Sequence, residues 1–171
     1  MACSKRTRSP SRSLREHLRQ LSDLITRSGG RQEGWVFPTI YRMVLDVGCD
    51  FVGRGLPGEY TLGTPKQCFQ NSYDLCIADE GLTYCEGYVL SDKLPMPLDH
   101  AWCVDAEGKV VDVTLADPIG WEYCGVMIKK EYMQAVISKR GYYGVLDNWQ
   151  HQWPLLTGEH LWEDAVILHD S

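Results

Sequence analysis

The 171-residue chain has no apolar run near the roughly 18 residues that a membrane-spanning helix needs. Its opening stretch, MACSKRTRSPSRS, is basic and Ser-rich without an apolar h-region, so no secretory signal is expected. Seven cysteines, at positions 3, 49, 68, 76, 85, 103 and 124, form no C-x-x-C pair, and no H-E-x-x-H occurs. The count is odd and the spacing scattered, which argues for reduced thiols over a disulfide framework and makes a cytoplasmic location the expectation. Neither a structural zinc site nor a metalloprotease-type centre is indicated, so no metal and no cofactor is expected. No internal repeat is visible either.

What is there fits a single soluble domain: 44% hydrophobic and 23% charged residues, in a chain long enough to bury a real core. The net charge of −6 is unevenly spread. Residues 1 to 31 hold eight of the 17 Lys and Arg against only Glu16 and Asp23, giving +6, and the rest of the chain carries −12. An acidic body argues against extended contact with phosphate backbones. Nucleic acid is therefore an improbable partner, reachable only through the basic segment 5–31, which could equally fold back on the body.

Residues 1–12 read as a disordered basic arm. Ser13 with Glu16 three residues on forms a capping box, and Leu14, Leu18, Leu21 and Ile25 recur at helical spacing up to Gly29 and Gly30. A second helix is expected from Pro38 to about Val47. Five glycines and a proline between 48 and 63 mark a loop with room for one short strand. Thr64 and Pro65 are a suitable cap and first turn for a third helix, with Phe69, Tyr73, Cys76 and Ile77 on one face and Gly81 beyond its end. LTYCEGYVL reads as a strand, 100–105 and 109–114 as a hairpin, and 121–128 as another strand. A helix over 130–140 places Tyr132, Ala135, Val136 and Lys139 at helical offsets, and an aromatic-rich tail with Trp149, Trp153 and Trp162 follows. The expected fold is α+β, N-terminal helices packed on an antiparallel sheet, in one domain over 13–171 with a helical part (13–80), a sheet part (82–128) and a helix with the tail (129–171).

The segment LDHAWCVDAEGKVVDVTL carries the most chemistry. Asp105 suits the first position of a type I turn, and Gly108 the left-handed position after it. In that register His100 opposes Thr114, and Asp112 is its diagonal neighbour on the same face. A two-residue Glu107-Gly108 loop would instead turn Asp112 to the other face; the turn residues favour the first arrangement. A carboxylate on one ring nitrogen fixes the imidazole tautomer and leaves the other nitrogen to serve a nucleophile. Among the cysteines, Cys68 is the best candidate, because it falls in the first turn of its helix, where free N–H groups favour a thiolate.

The stretches QCFQNS, YCEGYVL, DHAWCVD and VVDVT, spanning residues 64–115 or about a third of the chain, resemble the transglutaminase-like members of the papain-like cysteine-enzyme superfamily. The resemblance implies a papain-like core, a Cys68 nucleophile, His100 as general base and then acid, and Asp112 as orienter. It also implies a hydrolase or acyltransferase acting on an amide or ester of a peptide, protein or small molecule through a thioester. Protease, amidase, transglutaminase and deamidase chemistries all remain open. Three positions depart from the family pattern: Phe69 for the usual Trp, Lys66 for Gly, and Val113 for the proline of V-D-P-T. These departures leave the oxyanion donors open among the Cys68 N–H and the side-chain amides of Gln67 and Asn71.

Trp102 reads as core or as the wall of an acyl cleft, and Glu86 as a cleft residue or an exposed strand-edge carboxylate. Asp99, after the prolines at 95 and 97, either steers a cationic group or caps the turn. His17, His151, His160 and His169 show no metal spacing. The competing reading is a catalytically inactive interaction protein on the same fold, docking a partner through the basic arm or the Trp-rich tail.

Overall fold

A computed structural model of the chain describes residues 13–29 and 34–167. The basic arm, Gly30 and His169 lie outside the described residues. The order of elements is α1 (Leu14–Arg27), α2 (Ile40–Val47), β1 (Cys49–Val52), α3 (Cys68–Ala78), β2 (Thr83–Leu90), β3 (Leu98–Val104), β4 (Val110–Val111), β5 (Glu122–Ile128) and α4 (Lys130–Arg140). The tail adds a 3-10 turn (Trp149–His151), α5 (Pro154–Thr157), α6 (Trp162–Ala165) and β6 (Val166–Ile167). No described helix is long and apolar enough to cross a membrane.

The α+β expectation holds. All strand pairs are antiparallel, in the order β1-β5-β2-β3-β4, with β6 also pairing β5. The sheet therefore draws β1 from among the N-terminal helices and β6 from the tail. One face carries Tyr84, Ala101, Cys103, Cys124, Val126 and Ile128 and is buried by Leu14 and Leu18 of α1, Met43 and Val44 of α2, Cys76 of α3 and Met133 of α4. The other face has a smaller cluster built on Phe51, Cys85, Trp102, Val104, Tyr123 and Met127. Burial on two faces explains why β2, in the sheet's interior, reads as a nearly continuous apolar run.

Helix α1 starts where its capping box places it: the Glu16 N–H donates to Ser13 Oγ and the Ser13 N–H to Glu16 Oε2. Helix α2 begins at Ile40, two residues later than Pro38 would set it, because Thr39 is the cap and its hydroxyl accepts from the Arg42 N–H at 3.0 Å. In α4 the buried residues are Met133, Val136 and Ile137; Ala135 and Lys139 of the expected stripe are exposed.

Two further corrections bear on the site. Thr64 does not cap α3. Its N–H and carbonyl are both taken by the Asn71 side-chain amide, Lys66 turns into the left-handed region at φ 66°, and the helix starts at Cys68 with Gln67 as its cap. The strand expected over 109–114 stops at Val111, because the Asp112 carboxylate folds back onto the Thr114 and Leu115 N–H groups at 2.8 and 3.0 Å. Such side-chain-to-backbone bonds compete with the ladder.

The candidate active site

The hairpin has the register its turn residues favour. Cys103 pairs with Val111 and Val104 with Val110, and Gly108 is left-handed at φ 73°. Asp105 secures the turn, its Oδ1 accepting from the Glu107 and Lys109 N–H groups. Arg54 clamps it from outside, with an Nη2 bond to Asp105 at 2.6 Å and an Nε bond to the Val110 carbonyl at 2.7 Å.

That register brings His100 and Asp112 together: Nε2 to Oδ2 is 2.7 Å, and both side chains are buried. The carboxylate is fully engaged. Oδ2 also accepts from the Tyr123 hydroxyl at 2.8 Å, while Oδ1 holds the two backbone N–H groups of residues 114 and 115. Burial opposes its charge, yet His100, followed by the Leu115 and Thr114 amides, keeps Asp112 below the usual carboxylate range.

The second group that acts on the imidazole is the Cys68 thiol. Burial alone would drive the proton off His100, but hydrogen bonds to Asp112 and then Cys68, with their charges, outweigh it and push the pKa up from 6.5 to about 9. Since Nε2 is bonded to Asp112, Nδ1 is the ring nitrogen that this bond leaves open. Cys68 is partly exposed, at the first position of α3, where the backbone N–H has no intrahelical acceptor. Burial pushes the thiols of Cys49, Cys76, Cys85, Cys103 and Cys124 up, the last to about 12. Cys3 lies outside the described residues.

Helix α3 is tied to the hairpin by few bonds. The Asn71 Nδ2 donates to Thr114 Oγ1 at 2.9 Å and to the Thr64 carbonyl at 2.8 Å, and the Gly63 N–H donates to the Val113 carbonyl at 2.7 Å. The Asn71 amide is thus committed to linking helix and hairpin. Gln67 is exposed and its side chain makes no capping bond. Of the three candidate donors, the Cys68 N–H is the one at the helix start without an intrahelical acceptor.

Glu86 and Trp102 are both in the interior. Glu86 sits on an inner strand, not an edge. Its carboxylate accepts from the Tyr84 hydroxyl and from the Val145 and Leu146 N–H groups at 2.7, 2.6 and 2.9 Å, fixing the loop after α4 against the sheet. Burial raises its pKa, against the pull of those three bonds and of Arg140. Trp102 is on the His100 face, fully buried, 6.3 Å from the imidazole in a near-parallel stack and 5.0 Å from Tyr123. It backs the imidazole and lines no cleft. Gly125 makes room for it, since a Cβ there would collide with the indole and with the Glu86 carbonyl.

Tyr123 is the residue of the site that reading the sequence missed. It was visible only as one aromatic residue in the strand 121–128, and its contact with Asp112 depends on β5 lying beside β2. His17 bonds the Ser13 carbonyl, His151 the Asn148 side chain and His160 the Tyr132 hydroxyl. Among the described residues no group of three or more His, Cys, Asp or Glu is arranged to hold a metal ion. Comparison with family models, curated proteins and solved structures finds no match to the chain.

Proposed function

We propose that the protein is a cysteine-dependent hydrolase or acyltransferase, acting on an amide or ester through Cys68, His100 and Asp112 on a papain-like, transglutaminase-like core. The observation that carries this reading is one buried imidazole with a carboxylate on Nε2, whose other interacting partner is the helix-start Cys68 thiol. Lys66 adds support: where the resembling family has Gly two positions before its Cys, this chain adopts φ 66°, a conformation natural to glycine.

The chemistry follows from the placement. His100 Nδ1 takes the Cys68 proton, and the thiolate attacks the carbonyl carbon. The resulting oxyanion faces the Cys68 N–H. The imidazolium, held by Asp112, gives its proton to the leaving nitrogen or oxygen as that bond breaks, leaving a thioester. Water or an amine then loses a proton to His100 and attacks the thioester, and the returning proton restores the thiol. The second reading, an interaction protein that has kept the fold, draws on the small hollow beside Phe69, only about 40 Å³ in volume.

The test is labelling of the full chain with a tagged thiol electrophile, followed by mapping of the modified residue. Cys68 is expected to react ahead of the other cysteines, and His100→Ala to slow it by about 10²-fold or more. A Cys68 that reacts no faster than a free model thiol, with no change in His100→Ala, would favour the interaction protein.

A further inference from the structure

Four aromatic residues from distant parts of the chain line one groove of roughly 680 Å³: Trp35, Tyr41, Tyr88 and Trp153. They stand as two pairs, Tyr41 with Tyr88 at 4.9 Å between centroids and Trp35 with Trp153 at 5.7 Å. Among the described residues, the ionisable side chains in the lining besides the two tyrosines are the carboxylates Asp99 and Asp147, with no Lys, Arg or His. The Asp99 carboxylate makes no hydrogen bond or ion pair among the described residues. Asp147 Oδ1 accepts from Trp153 Nε1 at 2.9 Å; its charge also acts on Arg140, but the two form no direct ion pair among the described residues. The Arg140 guanidinium bonds the backbone carbonyls of Gly144 and Asp147 and lies 3.8 Å over the Tyr142 ring, so its direct bonds leave the Asp147 carboxylate open. Both carboxylates act on the Tyr88 hydroxyl, whose pKa is raised first by burial, then by Tyr41, Asp99 and Asp147. Asp99 is the strand partner of Tyr88, and both carboxylates line the groove and the adjoining hollow together with that tyrosine.

The groove adjoins a small hollow at the start of α3. It shares Ile40, Tyr88, Asp99 and Asp147 with the small hollow that also touches Phe69, next in the chain to Cys68, and Gly87, the strand partner of His100. An anion in this trough would meet two like charges. A neutral apolar group would strip water from both carboxylates and return nothing. A cation on an aliphatic stem satisfies both features, laying the stem on the rings and its charge between the acids and over the aromatic faces.

We propose that this groove is a specificity site for a lysyl or arginyl side chain of the acyl donor, bound so that the adjoining carbonyl reaches Cys68. The proposal rests on the Cys68 reading and narrows it to basic substrates.

The experiment uses three tagged acyloxymethyl ketones that differ only in the side chain beside the reactive carbonyl: lysyl, norleucyl (nearly isosteric and neutral) and glutamyl. The rate of labelling at Cys68 is measured on the full chain by mass spectrometry. The lysyl probe is expected to react about tenfold faster than the norleucyl probe, with the glutamyl probe slowest. That lysyl-to-norleucyl ratio should fall to within about threefold in Asp99→Asn and in Asp147→Asn, and shrink as salt is added. Equal lysyl and norleucyl rates would overturn the specificity site and leave the nucleophile standing. Failure of all three probes would instead count against Cys68 as nucleophile. In that event, titration of Nα-acetyl-lysine methylamide into the Cys68→Ala protein decides the groove by itself: saturable heat that is lost in Asp99→Asn supports it, and absence of heat overturns it.

Discussion

The two halves of the proposed site are built to different standards. On the hairpin side, Asp112 accepts from four donors, His100 is buried against Trp102, and Arg54 braces the turn from outside. On the helix side, residues 61–67 are all exposed and α3 starts without a side-chain cap; Asn71, the Gly63 amide and the Cys103 thiol on the Ser72 carbonyl tie this side to the hairpin. The contrast matches a division of labour. A proton-transfer pair must hold tautomer and distance, so its bonds are over-determined. A nucleophile must meet substrate, so its surroundings stay open. Disturbing the hairpin half should therefore cost far more than disturbing the approach to α3.

The largest effect is expected from Asp112→Ala, which strands the Tyr123 hydroxyl, the Thr114 and Leu115 amides and the imidazole at once. Breaking a buried pair by removing one partner costs about 3–5 kcal/mol, and urea unfolding followed by far-UV circular dichroism would show it as a lower midpoint. Asp112→Asn, which keeps the shape and an acceptor, should lose clearly less. Equal losses would mean that the volume of the side chain, and not its bonds, holds the corner.

A smaller, pH-dependent effect follows from the same pair. The folded pKa of His100 lies above its ordinary 6.5, at about 9, so its contribution is complete below about 6.5 and is lost as the pH rises through about 9. Asp112 lies below its ordinary 3.8, so its contribution is complete above that value and is lost as the pH falls through the lower folded one. The hairpin should thus be most stabilising between about pH 4 and 6.5. Unfolding midpoints measured at pH 5.5, 7.5 and 9.5 should decline, and His100→Gln should flatten that decline. An unchanged slope in the variant would place the titration elsewhere in the molecule.

The same contrast governs what could be read from the sequence. The hairpin was legible because its register depends on local chemistry: an Asp and a Gly at fixed turn positions decide which face Asp112 shares with His100. Helix α1 was legible for the same reason, through Ser13 and Glu16, and α4 kept its expected span although its buried stripe is rotated. The Tyr123–Asp112 bond needs the order of strands, which is set by pairing between segments far apart in the chain. Glu86 was opaque because a carboxylate in an apolar run reads as edge or cleft until the strand is known to be interior. The start of α3 was misplaced because Thr64 and Pro65 are good first-turn residues, and only the tertiary grip of Asn71 on Thr64 overrides them.

The smallest effect tests the open half alone. Lys66 at φ 66° is one of three described non-glycine residues in the left-handed region, which costs an L-residue about 1–2 kcal/mol. Glycine removes that cost but adds freedom to the unfolded chain, roughly 0.5–1 kcal/mol. Lys66→Gly should therefore stabilise the fold by up to about 1 kcal/mol, seen as a slightly higher urea midpoint. The His100 ring signals and their titration, followed by NMR, should not move, because no bond of the hairpin runs through residue 66. A loss of stability would show that the Lys66 side chain holds the turn before Cys68 in place. A shifted His100 titration would show that the two halves are coupled more tightly than their hydrogen bonds imply.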